Sequence, residues 1–204
     1  MMYKSFFKRV LDILFSLLAI IVFSPIYIIL IIVGAIKMKG NPFFYQERPE
    51  KDEKIFKLIK FRSMTEEKDE NGNYLPDGIR LTKYGKFIRS TSLDEIPEFF
   101  NVLKGDMSII GPRPLLVKYL DRYTPEQHRR HEVRPGITGL AMATVRNSAG
   151  WERKFELDIE YVNNVSFLLD VKIFFMTIKM VLSRKGINEP GSDTNSEFMG
   201  TLKK

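Results

Sequence analysis

The sequence predicts an α+β fold, mostly helical, attached to a membrane by its N-terminal segment. Three observations carry this reading. Val10 to Ile36 is almost wholly apolar, with Asp12 its only charged residue. Lys54 to Phe61 has mostly alternating polarity behind a turn at Arg48-Pro49-Glu50-Lys51-Asp52, so it reads as the second arm of a small β-hairpin opened by Phe43, Phe44 and Tyr45. Beyond residue 80, apolar residues recur three and four apart, which is the helical period.

A chain of 204 residues is large enough for one domain with a real core and too short for two comfortable ones. Its net charge of +7 and pI near 9.5 point to an anionic partner: lipid headgroups, nucleotide phosphates or nucleic acid. Nucleic acid is disfavoured, because the basic residues are dispersed and no stacking-aromatic module is recognisable. The absence of cysteine excludes disulfides and thiolate zinc sites. The expected organisation is a re-entrant membrane helix with basic flanks over residues 1–39, a cytosolic domain at the membrane interface over 40–187, and a polar tail over 188–204.

The apolar segment would measure about 40 Å as a helix at 1.5 Å per residue, enough to cross a bilayer. Its length and the lack of a small-residue cleavage site argue against a signal peptide. Ser24-Pro25 falls near the middle, where proline removes a backbone hydrogen bond, so a kink is expected there. Each arm would then be about 20 Å, short of a hydrocarbon core of about 30 Å. Lys4, Lys8 and Arg9 precede the segment while Lys37 and Lys39 follow it, marking both ends as cytoplasmic. A re-entrant helix satisfies these facts; the alternative is an ordinary kinked span with one end outside.

Glu66 to Arg80, with Asn71-Gly72 and Pro76-Asp77-Gly78, reads as a polar surface loop. Leu81, Tyr84, Phe87 and Ile88 mark a short amphipathic helix ending at Arg89. The next helix is expected to begin between Leu93 and Glu95, with Ser92 or Asp94 as N-cap and Glu95 as the capping-box partner of Ser92, and to run to Gly105. Pro97 limits how early it can start. Asp94 and Glu95 would occupy its first turn, where the helix dipole favours an anion, either a carboxylate or a bound phosphate. On spacing alone these acids need do no more than cap a helix.

Leu115 to Tyr123 is helical in pattern, and Thr124-Pro125-Glu126-Gln127 has capping-box spacing with proline at the first helical position. His128, His131 and Glu132 share one face of that helix, but no further ligand is spaced to complete a metal site, so a metal reading is set aside. Arg134 to Ala141 is a glycine-punctuated turn expected to lead into a strand. Phe155, Ile159 and Val162 define one closing helix; Leu168 to Leu182, apolar over much of its circumference, defines a second that suits either the membrane interface or the core. From Gly186 onward the polar composition predicts a frayed tail.

Arg89, Ser92-Leu93-Asp94-Glu95-Ile96-Pro97, Asn101-Val102-Leu103-Lys104-Gly105, Met107-Ser108 and Gly111-Pro112-Arg113-Pro114 together resemble the signature of the bacterial sugar transferases known as monotopic phosphoglycosyl transferases. Lys60-Phe61-Arg62-Ser63-Met64 resembles a second motif of that family and Arg134 to Ala141 a third. Alone, Lys60 and Arg62 read as solvated charges at a strand end. The resemblance implies that Asp94 and Glu95 form the catalytic dyad and bind Mg²⁺. It implies that Lys60, Arg62, Arg89, Arg113 and Arg146 bind substrate phosphate or nucleotide. Arg89 and Arg113 suit that role because guanidinium holds phosphate in a bidentate way. Met142-Ala143-Thr144-Val145 departs from the family pattern, although Arg146 matches it.

The implied reaction moves a sugar 1-phosphate from a UDP-sugar to polyprenyl (undecaprenyl) phosphate at the cytoplasmic face of the inner membrane, as in glycoconjugate biosynthesis. The small form of the family suggests N,N′-diacetylbacillosamine 1-phosphate and protein glycosylation; N-acetylgalactosamine, galactose and glucose are the rival sugars. A non-catalytic basic protein bound to anionic lipid would explain charge and anchor, but not an Asp-Glu pair between arginines.

Overall fold

The computed structural model describes residues 2–145, 148–183 and 196–201. A π-helical turn at Tyr3–Phe7 leads into helix α1, Lys8–Lys37. Strands β1 (Phe43–Pro49) and β2 (Ile55–Phe61) follow, then helices α2 (Asp77–Arg80), α3 (Lys83–Ser90) and α4 (Glu98–Lys104). Strand β3 (Ser108–Ile110), helix α5 (Pro125–His128), strand β4 (Gly136–Thr138) and helices α6 (Leu140–Thr144), α7 (Trp151–Asn163) and α8 (Phe167–Ser183) complete the chain order. The α+β, mostly helical class is as expected.

Helix α1 is long and apolar enough to cross a membrane, by length and composition. It stays helical through Pro25, and Ser24 Oγ donates to Ile21 O at 2.7 Å beside the proline. Both arms touch the same folded unit. Before Pro25, Arg9 donates to Leu103 O (2.8 Å) and to Val102 O, which also accepts the Gly105 N–H, so it holds the C-terminal carbonyls of α4. The buried Asp12 accepts from Ser108 Oγ and the Ile109 N–H, both at 3.0 Å, which accounts for a lone acid in an apolar helix. After Pro25, Tyr27 packs on Phe43, Phe61 and Phe100, and Leu30 joins a core of Phe61, Ile88 and Ile96.

The hairpin is antiparallel, with Phe43 opposite Phe61 and Pro49 opposite Ile55. Phe56 and Leu58 point from β2 onto Val102 and Met107. Strands β3 and β4 pair in parallel, Ser108 with Gly136 and Ile110 with Thr138. A Cβ at Gly136 would lie 2.1 Å from the Gly111 nitrogen, so this crossing requires glycine. The strand expected after Arg134 to Ala141 is thus the Gly136–Thr138 segment itself. Met142 to Thr144 belong to α6, which packs beside α7 and α8 in a core of Ile110, Leu140, Leu157, Tyr161 and Ile173.

Three local expectations need correction. The helix expected from Leu93 to Gly105 is a 3₁₀ turn, Leu93–Glu95, followed by α4. Pro97 has no N–H to donate to Leu93 O, and Ile96 donates there instead in the tighter pattern, at 3.3 Å. Ser92 does not cap: its φ is +56° and its side chain makes no cap bond, so the expected capping box is absent. The Leu115 to Tyr123 helix is a 3₁₀ segment, Val117–Arg122. The capping box at Thr124 and Gln127, by contrast, forms as predicted.

Phe155, Ile159 and Val162 are buried on α7 as the spacing predicts. On α8, Asp170 and Ile173 are buried, while Phe167, Leu168, Phe174, Phe175, Ile178 and Leu182 stay exposed, an unbalanced distribution that suits a membrane interface. Within the tail expected to fray, Phe198 docks into the fold, although Met199 beside it stays exposed. Phe198 is 1 % exposed between Tyr119, Tyr123, Trp151 and Phe155, and Glu197 pairs with Lys118 and Arg122. One aromatic residue supplies the burial that the polar composition obscured.

Candidate active site

Four elements converge on the Asp94-Glu95 pair. The 3₁₀ turn presents both acids after Ser92, a non-glycine residue in the left-handed region. Strand β2 delivers Lys60, whose Nζ lies 2.7 Å from Glu95 Oε1 and 3.0 Å from Glu98 Oε1. Arg113, from the Gly-Pro-Arg-Pro loop after β3, donates through Nη2 to the same Glu95 oxygen at 2.9 Å. Its Nη1 reaches Met142 Sδ on α6 at 3.4 Å. Glu95 therefore does not serve as a cap; its carboxylate is shared between two cations.

The loop carrying Arg113 is fastened from behind. Buried Arg130 donates to Arg113 O at 2.7 Å while paired with Asp158 at 2.8 Å. Arg48 donates to Pro114 O at 3.1 Å, and the Gly136 N–H to Pro112 O at 3.0 Å. Arg89 Nε donates to Ser63 Oγ at 2.8 Å. That contact follows from α3 lying on the Ser63 backbone: a Cβ at Gly85 would sit 1.8 Å from Ser63 O, so only glycine allows the approach. Arg62 pairs with Glu66 at 3.2 Å, not with the central carboxylates. Arg146 lies outside the described residues.

The charge balance differs sharply between neighbouring acids. Burial would raise Glu95, but Lys60 and Arg113 more than reverse this and hold it far below the usual carboxylate range. Burial and the adjacent Glu95 charge push Asp94 up to about 6, against the pull of Lys60, Arg89 and Arg113. Glu98 is pushed up to about 7, chiefly by burial. Lys60 loses charge stability by burial but regains more from Glu95 and Glu98, so it is raised. Asp94 makes no side-chain hydrogen bond or ion pair with any described residue. Among the described residues its carboxylate is unpaired, beside a partner whose Oε1 is shared by two cations.

Glu98 is the residue that the sequence reading missed. Its signal was there: it lies three residues after Glu95, the spacing that places two side chains on one helical face. The His128, His131 and Glu132 trio separates in space. Glu132 pairs with Arg129 at 3.0 Å, while Glu53 of the hairpin turn comes to both histidines.

Chemically, this is a partly buried site, open to solvent at Arg113, with one carboxylate unpaired among the described residues, a cluster of cations suited to phosphate oxygens, and an apolar anchor nearby. A family model described as "Bacterial sugar transferase" matches residues 3–184. The chain is 48% identical over 194 residues to the uncharacterized sugar transferase EpsL of Bacillus subtilis (strain 168), covering 95% of this chain and 96% of that one. It is 41% identical to the UDP-N-acetylgalactosamine-undecaprenyl-phosphate N-acetylgalactosaminephosphotransferase of Aeromonas hydrophila, over 89% of this chain and 45% of the relative. It is 44% identical to the UDP-glucose:undecaprenyl-phosphate glucose-1-phosphate transferase of Klebsiella pneumoniae, over 84% of this chain and 39% of the relative. The chain thus spans nearly all of the Bacillus protein and less than half of the other two. It belongs to the bacterial sugar transferase family.

Proposed function

We propose that this chain transfers a sugar 1-phosphate from a UDP-sugar to undecaprenyl phosphate, releasing UMP and leaving a sugar on undecaprenyl diphosphate. The observation that carries the mechanism is the contrast between Asp94, free and partly desolvated, and Glu95, neutralised by Lys60 and Arg113. Family membership and the names of the Aeromonas and Klebsiella relatives support the reaction class.

In the first step an Asp94 carboxylate oxygen attacks the sugar-proximal phosphorus. The new bond is an aspartyl phosphate, the bond from that phosphorus to the bridging oxygen breaks, and UMP leaves with the electron pair. In the second step a phosphate oxygen of the lipid attacks the same phosphorus, and Asp94 leaves as a carboxylate. The sugar C–O bond is untouched. Lys60 and Arg113, beside the dyad, and Arg89 would neutralise phosphate oxygens as charge builds. Arg62 and Arg146 stand as further candidates for the donor nucleotide.

The donor set fits Mg²⁺, which takes hard oxygens from few carboxylates together with substrate phosphates. Asp94 and the Glu95 oxygen not held by Lys60 and Arg113 would bind it, and the ion would supply charge neutralisation at the diphosphate.

Purified protein incubated with Mg²⁺ and a UDP-sugar labelled in the sugar-proximal phosphate, without lipid, should retain label after denaturation; Asp94→Asn should not. Wild-type protein that turns over with lipid yet never retains label would refute the two-step path. A panel of UDP-sugars identifies the donor: N,N′-diacetylbacillosamine is the first candidate from the motif resemblance, with N-acetylgalactosamine, glucose and galactose as competitors.

The anchor reading is a monotopic, re-entrant α1 with the catalytic domain on the cytoplasmic face of the inner membrane. It is supported by contacts of both arms with one folded unit: Arg9 and Asp12 before Pro25, Tyr27 and Leu30 after it. Cysteines at positions 4 and 39 should both react with impermeant reagent from the cytoplasmic side only. Periplasmic labelling of either would overturn this topology.

A further inference from the structure

Away from the Asp94-Glu95 pair, Glu53, His128 and His131 each offer a ligand atom, and these atoms lie within 4.8 Å of one another. His128 and His131 are the chain's entire complement of histidine. His128 Nδ1 lies 2.5 Å from Glu53 Oε1, and His131 Nδ1 lies 3.3 Å from the same oxygen. His131 is 6 % exposed, and neither of its ring nitrogens makes a hydrogen bond. A buried ring nitrogen without a hydrogen bond is costly, and a cation shared with Glu53 and His128 would remove that cost at the nitrogen that binds it. The hairpin turn that holds Glu53 is itself unusual: Asp52 and Glu53 both have positive φ, +57° and +60°.

We propose that Glu53, His128 and His131 form a binding site for a zinc-type divalent cation, fastening the β1–β2 turn to the Arg129–Glu132 segment. Two imidazoles and a carboxylate suit Zn²⁺ and its late first-row neighbours, with water completing a tetrahedron; Mg²⁺ prefers an all-oxygen set. Ligand atoms about 2.0–2.1 Å from one tetrahedral ion stand about 3.3 Å apart, so the His128–Glu53 contact would open slightly while the widest pair closes. The half-exposed Glu53 and His128 side chains are free to make that adjustment around the fixed His131. Arg130, adjacent in sequence, holds the Arg113 carbonyl, so the clamp would stiffen the support of the phosphate-facing loop. The site does not depend on the transfer reaction.

The test uses the untagged full chain in detergent, stripped of metal by chelation, and titrated with Co²⁺. Tetrahedral Co²⁺ with nitrogen and oxygen ligands gives visible d–d absorption. One equivalent should bind with those bands, Zn²⁺ should bleach them and Mg²⁺ should not. Zn²⁺ should also raise the unfolding temperature. His128→Gln and Glu53→Gln, both at partly exposed positions, should each weaken Co²⁺ binding at least about tenfold. Asp94→Asn should bind as wild type does. Wild-type protein without the tetrahedral spectrum, or folded His128→Gln and Glu53→Gln variants that bind as tightly as wild type, would overturn the proposal. So would loss of the signal in Asp94→Asn, which would place the ion at the dyad.

Discussion

Replacing Glu98 with glutamine isolates one acid from the buried charge cluster. Glu98 lies 3.0 Å from Lys60 with its side chain 4 % exposed, and burial pushes it up to about 7 against an ordinary 4.5. Between those values the folded chain keeps a proton that the unfolded chain has released, so stability falls as pH rises. From about pH 5 to about pH 8 the loss attributable to Glu98 amounts to about 2–3 kcal/mol. Asp94, also raised, contributes with the same sign and remains in the variant. The stabilisation of the depressed Glu95 is present throughout this window and is lost only in stronger acid; the raised Lys60 titrates above it. Glutamine should therefore flatten the pH dependence and stabilise the protein most at the alkaline end. At about 2–4 °C per kcal/mol, the Glu98 share corresponds to about 5–10 °C in Tm. The single tryptophan, Trp151, reports unfolding by fluorescence. Equal pH slopes for Glu98→Gln and wild type would refute the charge balance described for the site.

Three further outcomes are expected. Capture of labelled phosphosugar without lipid should rise as pH passes through about 6, because Asp94 must be deprotonated to attack; a flat profile from about pH 5 to about pH 8 would remove Asp94 as the titrating nucleophile. Gly85→Ala should destabilise on the order of 3 kcal/mol and impair transfer, since its Cβ would meet Ser63 O at 1.8 Å and push α3 and Arg89 away; wild-type melting and rate would contradict that packing. Phe198→Ala should cost about 3–5 kcal/mol and red-shift Trp151 emission, whereas an unchanged spectrum and midpoint would show that residues 196–201 are not anchored there.

Local pattern was a good guide wherever one element's own chemistry decides the outcome. The apolar run, the alternating Lys54 to Phe61 strand and the Thr124 capping box each state their structure within a few residues. It failed at Ser92, where the N-cap spacing was present but Pro97 deprived the first turn of a donor, and a 3₁₀ turn formed instead. It failed again at Phe198, because polar neighbours outweighed one aromatic side chain in the composition, while burial depends on what surrounds that side chain in space.

By itself, the sequence determined that an Asp-Glu pair stands between arginines in a chain with a membrane-length apolar helix; the resemblance to a family, and not the spacing, is what implied a role for that pair at phosphates. Only the tertiary structure decided how the charges divide. Lys60 comes from a separate strand to hold Glu95 and Glu98, Arg113 takes the same Glu95 oxygen, and Asp94 is left free. Likewise, Glu53 reaches His128 and His131 across the fold, where helical spacing had paired them with Glu132. The reason is physical: Coulomb energy and desolvation depend on distance and burial in three dimensions, and separation along the chain does not encode either between different elements.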